Sequence, residues 1–140
     1  MHRILRPGGT LAFSSHNHIG WIPIVEAACK KLGLPALTGL EQMQAWNDDS
    51  YLPKLQEIGF TDARLEWMEN PITIQQEQDN DFANMCGMMW PQITSDWQEK
   101  DKGRKDEVVN EVKAYLVNER KKGDVVVRMA GPLFVGHKAA

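Results

Sequence analysis

The chain is poor in cysteine, in excess charge of either sign and in long apolar runs. Only Cys29 and Cys86 occur among 140 residues, too few for a disulfide framework or a metal signature. Both stand among apolar neighbours, the usual surroundings of a buried free thiol. No apolar run approaches the roughly 20 residues that a membrane-spanning helix needs. No long apolar segment follows a charged start, so no signal peptide is expected and the expected location is cytoplasmic. Sixteen Lys and Arg stand against 19 Asp and Glu, a net charge of −3, and the pI is near 5.8. That balance draws a protein to neither nucleic acid nor an anionic membrane, and neither is expected as a partner. The densest basic cluster, Arg120, Lys121 and Lys122, reads as a solvated helix end. No G-x-G-x-x-G or G-x-G-x-G occurs, so the glycine-rich strand-to-helix turn that cradles a nucleotide cofactor is missing.

What is present describes a globular domain's worth of chain, 42% hydrophobic and 25% charged, with a mean hydropathy of −0.45. The organising stretch comes first. Ile4 and Leu5 between Arg3 and Arg6 read as the last turn of a helix, stopped by Pro7 and reversed by Gly8-Gly9. The almost wholly apolar Thr10 to Phe13 then reads as a strand buried on both faces, giving a turn and strand over residues 5–15.

A helix is predicted over 21–33. Ile24, Val25, Ala28, Cys29 and Leu32 form its apolar face, Pro23 its first turn and Gly33 its stop. A second is predicted over 47–59, capped by Asp48, Asp49 or Ser50, with Leu52, Leu55 and Ile58 as its buried stripe and Gly59 as its stop. Residues 61–74 read as a strand with Ala63, Leu65 and Trp67 on one side and Asp62, Arg64 and Glu66 on the wet side. A helical insertion over 79–102, capped by Asp79 or Asn80, carries Phe82, Met85, Met88, Met89 and Trp90. A helix over 104–122 buries Val108, Val109, Val112, Tyr115 and Leu116. The stretch 124–138 reads as two β-rich runs hinged at Gly131-Pro132.

The run from Arg3 to Ser14, RILRPGGTLAFS, resembles the R-(V/I)-L-(K/R)-P-G-G-x-L-x-(F/I)-S segment of class I S-adenosylmethionine-dependent methyltransferases. There it joins the helix after the fourth strand to the fifth strand of a doubly wound sheet. Leu52 to Phe60 is similar to the L-x-x-L-x-(E/A)-(A/I)-G-F segment before the sixth strand. The resemblance implies an α/β fold: the C-terminal half of a Rossmann-like methyltransferase sheet. It would have three strands, the last antiparallel and lodged between the other two, with flanking helices and an inserted helical lid. The implied cofactor is S-adenosylmethionine, held through an N-terminal half, because the family's cofactor-binding motif does not occur here. The implied activity is methyl transfer to a small apolar or aromatic acceptor, in the style of secondary metabolism. Two other classes stay open: a truncated, non-catalytic paralogue that regulates a full-length methyltransferase, and a repurposed small-ligand-binding or isomerase-type protein.

Two places carry candidate site residues. Ser14, Ser15, His16, Asn17 and His18 follow the first strand, where the family often builds part of its acceptor pocket. His16 is the candidate general base, since an imidazole titrates in the range that proton removal at neutral pH requires. The competing reading is a solvated polar loop, and His16 with His18 alone falls short of a metal site. Met85, Met89 and Trp90 in the insertion resemble the family's lid over a flat ligand, with Trp21 as a further wall. For these the competing reading is core packing. Asp48 and Asp49 read as helix caps, not as a catalytic carboxylate pair. As part of a larger sheet, Thr10–Ser15 would leave one backbone edge to pair with an N-terminal half or a second copy.

Overall fold

The structure, a computed structural model, describes residues 2–40 and 49–139. It is α/β. In chain order the elements are β1 (Thr10–Ser14), β2 (His18–Ile19), α1 (Ile22–Lys31), α2 (Leu52–Glu57), β3 (Phe60–Thr73), α3 (Asp79–Met88), α4 (Trp90–Ile93), α5 (Glu99–Lys102), α6 (Lys105–Arg120) and β4 (Val126–Lys138). Short 3₁₀ turns at His2–Ile4, Asp49–Tyr51 and Gln76–Gln78 precede β1, α2 and α3. The described chain divides into two compact units. One holds residues 2–18, 49–70 and 129–139, the other 19–40 and 71–128.

β4 is the middle strand of the sheet. Against one of its edges β1 runs antiparallel, from Thr10 opposite His137 to Ser14 opposite Leu133. The register continues beyond β1, with Ser15 N–H donating to Pro132 O at 3.0 Å and Asn17 N–H to Ala130 O at 2.8 Å. β2, which also pairs with β4, is therefore the continuation of the same edge strand after an interruption. The other edge of β4 takes β3. Thr61 Oγ1 donates to His137 O at 3.2 Å, and Ile74 N–H donates to Val125 O at 2.8 Å. Residue numbers fall along β4 as they rise along β3, so this pair too is antiparallel.

The interruption between β1 and β2 has a local cause. In an antiparallel hydrogen-bonded pair each residue both donates and accepts. Pro132 accepts from Ser15 but has no N–H to return, so the ladder lapses there. Gly131 lies so close to the Ser15 carbonyl that any Cβ would collide with it. The expected hinge at Gly131-Pro132 is thus corrected: β4 passes through both residues as one strand, and the break falls on its neighbour.

The first unit is built on Leu55, Phe60 and Phe134, with Leu5, Leu11, Phe13, Tyr51, Leu52, Ala63 and Leu65 packed round them. The rings of Phe13 and Phe134 stack 4.9 Å apart, and Tyr51 meets Phe134 edge-on at 6.5 Å. Phe60 and Ala63 belong to this one cluster although an odd spacing should set them on opposite faces. Asp62 lies between them in the left-handed region, φ 52°. An extra residue in that conformation is a β-bulge, and it restores Ala63 and Leu65 to the face of Phe60.

Several expectations are corrected in this unit. β1 is not buried on both faces: Thr10, Ala12 and Ser14 are exposed and Leu11 and Phe13 half-buried, because alternate side chains point to opposite faces and it is Leu11 and Phe13 that pack on the Phe134 cluster. Ile58 is 55% exposed and Trp67 58% exposed; α2 ends at Glu57, before Ile58 can join its stripe. The residue in the N-cap position of α2 is Tyr51, with Asp49 opening the turn before it; Asp48 lies outside the described residues. The cation at the end of the first turn is Lys138, whose Nζ donates to His2 O at 3.1 Å and Leu5 O at 2.8 Å. Arg3 and Arg6 are exposed.

In the second unit α6 packs against both α1 and α3. Val25, Ala28, Cys29, Val108, Val112 and Leu116 are buried on the stripes their spacing marks; on α3 the buried residues are Phe82, Ala83 and Cys86, while the expected Met85 and Met88 are exposed. Gly87 lets α3 and α6 approach, since a Cβ there would sit 3.0 Å from Val109 Cγ2. Asp79 does not cap α3 but lies within its first turn. It is ion-paired to Arg120, which also donates to Ile74 O at 2.8 Å. The cap lies one turn earlier, where Gln75 and Gln78 form a reciprocal capping box.

Candidate functional site

The first unit holds a cavity of about 380 Å³ lined by His2, Leu11, Phe13, Ser14, Ser15, Leu55, Ile58 and Phe60. Each wall has a sequence reason. The Pro7-Gly8-Gly9 reversal sends the His2–Ile4 turn back beside the strand it precedes, with Gly8 at φ 75° supplying the turn. β1 then presents Leu11 and Phe13 on one face. Just past the end of α2, Gly59 at φ 103° turns the chain so that Ile58 and Phe60 complete the wall. The His2 ring meets Phe60 edge-on, centroids 4.9 Å apart at 82°, and would contact a Cβ at Gly59 at 3.1 Å.

The cavity is therefore apolar on its long walls, with an imidazole and two serines as its polar groups. Its volume is in the range of pockets for small molecules. Such a site takes a flat or branched apolar body and fixes one polar substituent. Ser14 and Ser15 are the sequence-predicted residues the structure places there. His16, Asn17 and His18 follow it along the strand and are exposed, presented where the ladder lapses opposite Pro132. His2, Leu55, Ile58 and Phe60 were not among the sequence candidates. No local motif marks them as one site; pairing through β4 and the turn at Gly59 brings them together.

The remaining candidates belong to the second unit. Trp21 and Trp90 are each only 5% exposed. Trp90 Nε1 donates to Lys102 O at 2.8 Å, and its ring meets Trp97 edge-on at 5.2 Å, so it holds α4 to α5. Met89 is half-buried, while Met85 and Met88 are exposed on α3 at 40% and 74%. The insertion thus makes much of the second unit's own core.

Neither thiol is a nucleophile in this fold. Burial pushes Cys29 up to about 11, with the nearby Glu26 charge adding to the shift. Burial likewise pushes Cys86 up to about 12. Both stay protonated at neutral pH. Among the described residues no group of three His, Cys, Asp or Glu side chains converges as metal ligands, and no helix is long and apolar enough to cross a membrane.

The Gly8-Gly9 turn does not fit a nucleotide cofactor. Gly8 N–H is bonded to Lys138 O at 3.0 Å and Gly9 N–H to Arg6 O at 2.9 Å, so neither amide is left for an anion. Compared with known protein families, the chain matches no family model.

Proposed function

We propose that this chain forms the acceptor-binding C-terminal part of an S-adenosylmethionine-dependent methyltransferase domain, with a small apolar or aromatic acceptor. The observation that carries the reading is the order of strands. The strand after the Leu5-Arg6-Pro7-Gly8-Gly9 turn and the strand after Ile58-Gly59-Phe60 flank the last strand, which is antiparallel to both. That is the order the resemblance implies for a Rossmann-like methyltransferase sheet. The cavity of about 380 Å³ suits one flat ring system, and its polar groups suit one hydroxyl or ring nitrogen.

The described residues do not fit the cofactor, so its binding is assigned to elements outside them. The chain's own share is to seat the acceptor and take its proton. Leu11, Phe13, Leu55 and Phe60 clasp the apolar body and exclude water. Ser14 and Ser15 orient the polar substituent. An imidazole is the base that a hydroxyl acceptor needs: His2 lines the cavity itself, and His16 follows directly after Ser15.

Two titrations test this. In solution NMR, simple phenols and indoles are expected to shift the methyl signals of Leu11, Leu55 and Ile58, and calorimetry with S-adenosylmethionine is expected to show no binding tighter than about 1 mM. Absence of any aromatic-induced shift would overturn the acceptor site. Tight binding of S-adenosylmethionine would overturn the assignment of the cofactor to other elements.

A further inference from the structure

The register of β3 on β4 sorts its backbone groups into those that serve the sheet and those that point away from it. Ile74 N–H donates to Val125 O at one end, and Thr61 Oγ1 donates to His137 O at the other. From Ile74 back to Arg64 every even-numbered residue therefore turns its N–H and C=O to β4, and Ala63, Leu65, Trp67 and Glu69 turn theirs outward. The same register sets Leu65 beside Phe134, with which it shares a cluster. Pro71 falls in the outward set, where its missing N–H costs the sheet nothing. Among the described residues β3 pairs with β4 alone, and no other backbone bond reaches Ala63, Leu65 or Trp67.

The side chains of this stretch say what fits it. One face carries Ala63, Leu65 and Trp67, and Trp67 is 58% exposed although it lies in line with two core residues. The other face carries Arg64 and Glu66, both exposed, with Arg64 Nε donating to Glu66 Oε1 at 2.9 Å. Such a stretch is complementary to itself when a second copy runs antiparallel about Leu65. Arg64 then lies opposite Glu66 of the second copy, so four charges alternate in sign round the axis. On the other face Leu65 meets Leu65, and the small Ala63 meets the large Trp67. Neighbouring registers lose this match. Centred on Arg64 or on Glu66 they set like charges directly opposite each other, and centred on Trp67 they set Leu65 against Glu69. We propose that the outer edge of β3 pairs with the same edge of a second copy, antiparallel about Leu65, in a two-fold dimer. The bulge at Asp62 and Pro71 confine the pairing to a short stretch, so the dimer belongs to the small, transient class. The interface rests on β3 and stands apart from the methyl-transfer reading.

The test is the association of the chain and of charge variants at these exposed positions. Sedimentation is expected to show a monomer–dimer equilibrium with a dissociation constant below about 100 μM. Hydrogen exchange at the Ala63, Leu65 and Trp67 amides is expected to slow at least roughly threefold between about 10 μM and about 1 mM protein. Arg64→Glu and Glu66→Arg alone are each expected to dimerise at least roughly tenfold more weakly, because each puts like charges across the axis. An equal mixture of the two variants is expected to associate within roughly threefold of the wild type, since opposite signs then meet again. Trp67→Pro removes an outward N–H while the bonds to β4 use its neighbours, so it is expected to keep the fold and stay monomeric. The dilution series on the unaltered chain stands by itself if a variant does not fold. A monomer at about 1 mM, a dimer indifferent to either charge variant, or a mixture that fails to recover would each overturn the proposal. So would protection of the same three amides that does not change with dilution, because another segment of the chain would then hold the edge.

Discussion

At the scale of the residue, Asp62 is the position where one side chain decides a face of the sheet. It holds φ 52°, a conformation that costs most L-residues about 1–2 kcal/mol and that Asp tolerates through its short polar side chain. Asp62→Gly is expected to gain up to about 1 kcal/mol, and Asp62→Val to lose about 1–2 kcal/mol and shift Ala63 and Leu65 off the core face. Urea unfolding of the two variants checks the sign. The thiols make a second prediction. A thiol whose folded value is raised favours the fold only while the unfolded chain also keeps its proton. Stability is therefore full below the ordinary thiol value and falls as pH climbs from about 9 towards about 11 for Cys29 and about 12 for Cys86. Thermal melts from neutral to alkaline pH should show the wild type losing more stability than a Cys29→Ala, Cys86→Ala double variant. An equal loss would remove the thiols from the account.

At the scale of the element, α3 and α6 meet through Gly87. Alanine there gains about 1 kcal/mol of helix propensity, and the 3.0 Å contact to Val109 Cγ2 opposes it. Lys105, the other neighbour, is flexible and can withdraw. Gly87→Ala is therefore expected to change stability by less than about 1 kcal/mol, and Gly87→Leu to lose about 3 kcal/mol by overpacking. Denaturation of both measures which effect wins.

Periodic elements were the legible ones. Val108, Val109, Val112 and Leu116 are buried as their spacing requires, and β3 alternates from Ala63 to Glu66 as expected. What escaped sequence reading was set by partners. Gly131-Pro132 reads locally as a break, yet both continue a strand whose neighbour absorbs the defect. Trp90 reads as a pocket wall, yet its N–H is spent on Lys102 O. The cavity draws on His2, β1, α2 and Phe60, and only Ser14 and Ser15 among its lining residues were candidates, because no spacing rule links residues joined through a third strand.

At the scale of the whole molecule, each compact unit has its own core. Phe134 is fully buried at the centre of the first. Phe134→Ala is expected to cost about 3–5 kcal/mol, a large part of the roughly 5–15 kcal/mol that holds a domain. Hydrogen exchange should then show β1 and α2 opening while amides in the middle of α6 stay protected. Simultaneous loss of protection in α6 would show that the two cores melt as one.

Pro132 gives the interruption opposite Ser15 a meaning for how such a surface changes over time. The presentation of Ser15, His16 and Asn17 is encoded on a strand that contains none of them. Replacing Pro132 with a residue that has an N–H would let the ladder close at Ser15 without altering a single histidine. Moving the proline along β4 would slide the opening to different residues of its neighbour. Position and chemistry of the site are thus written on separate strands and are free to drift independently.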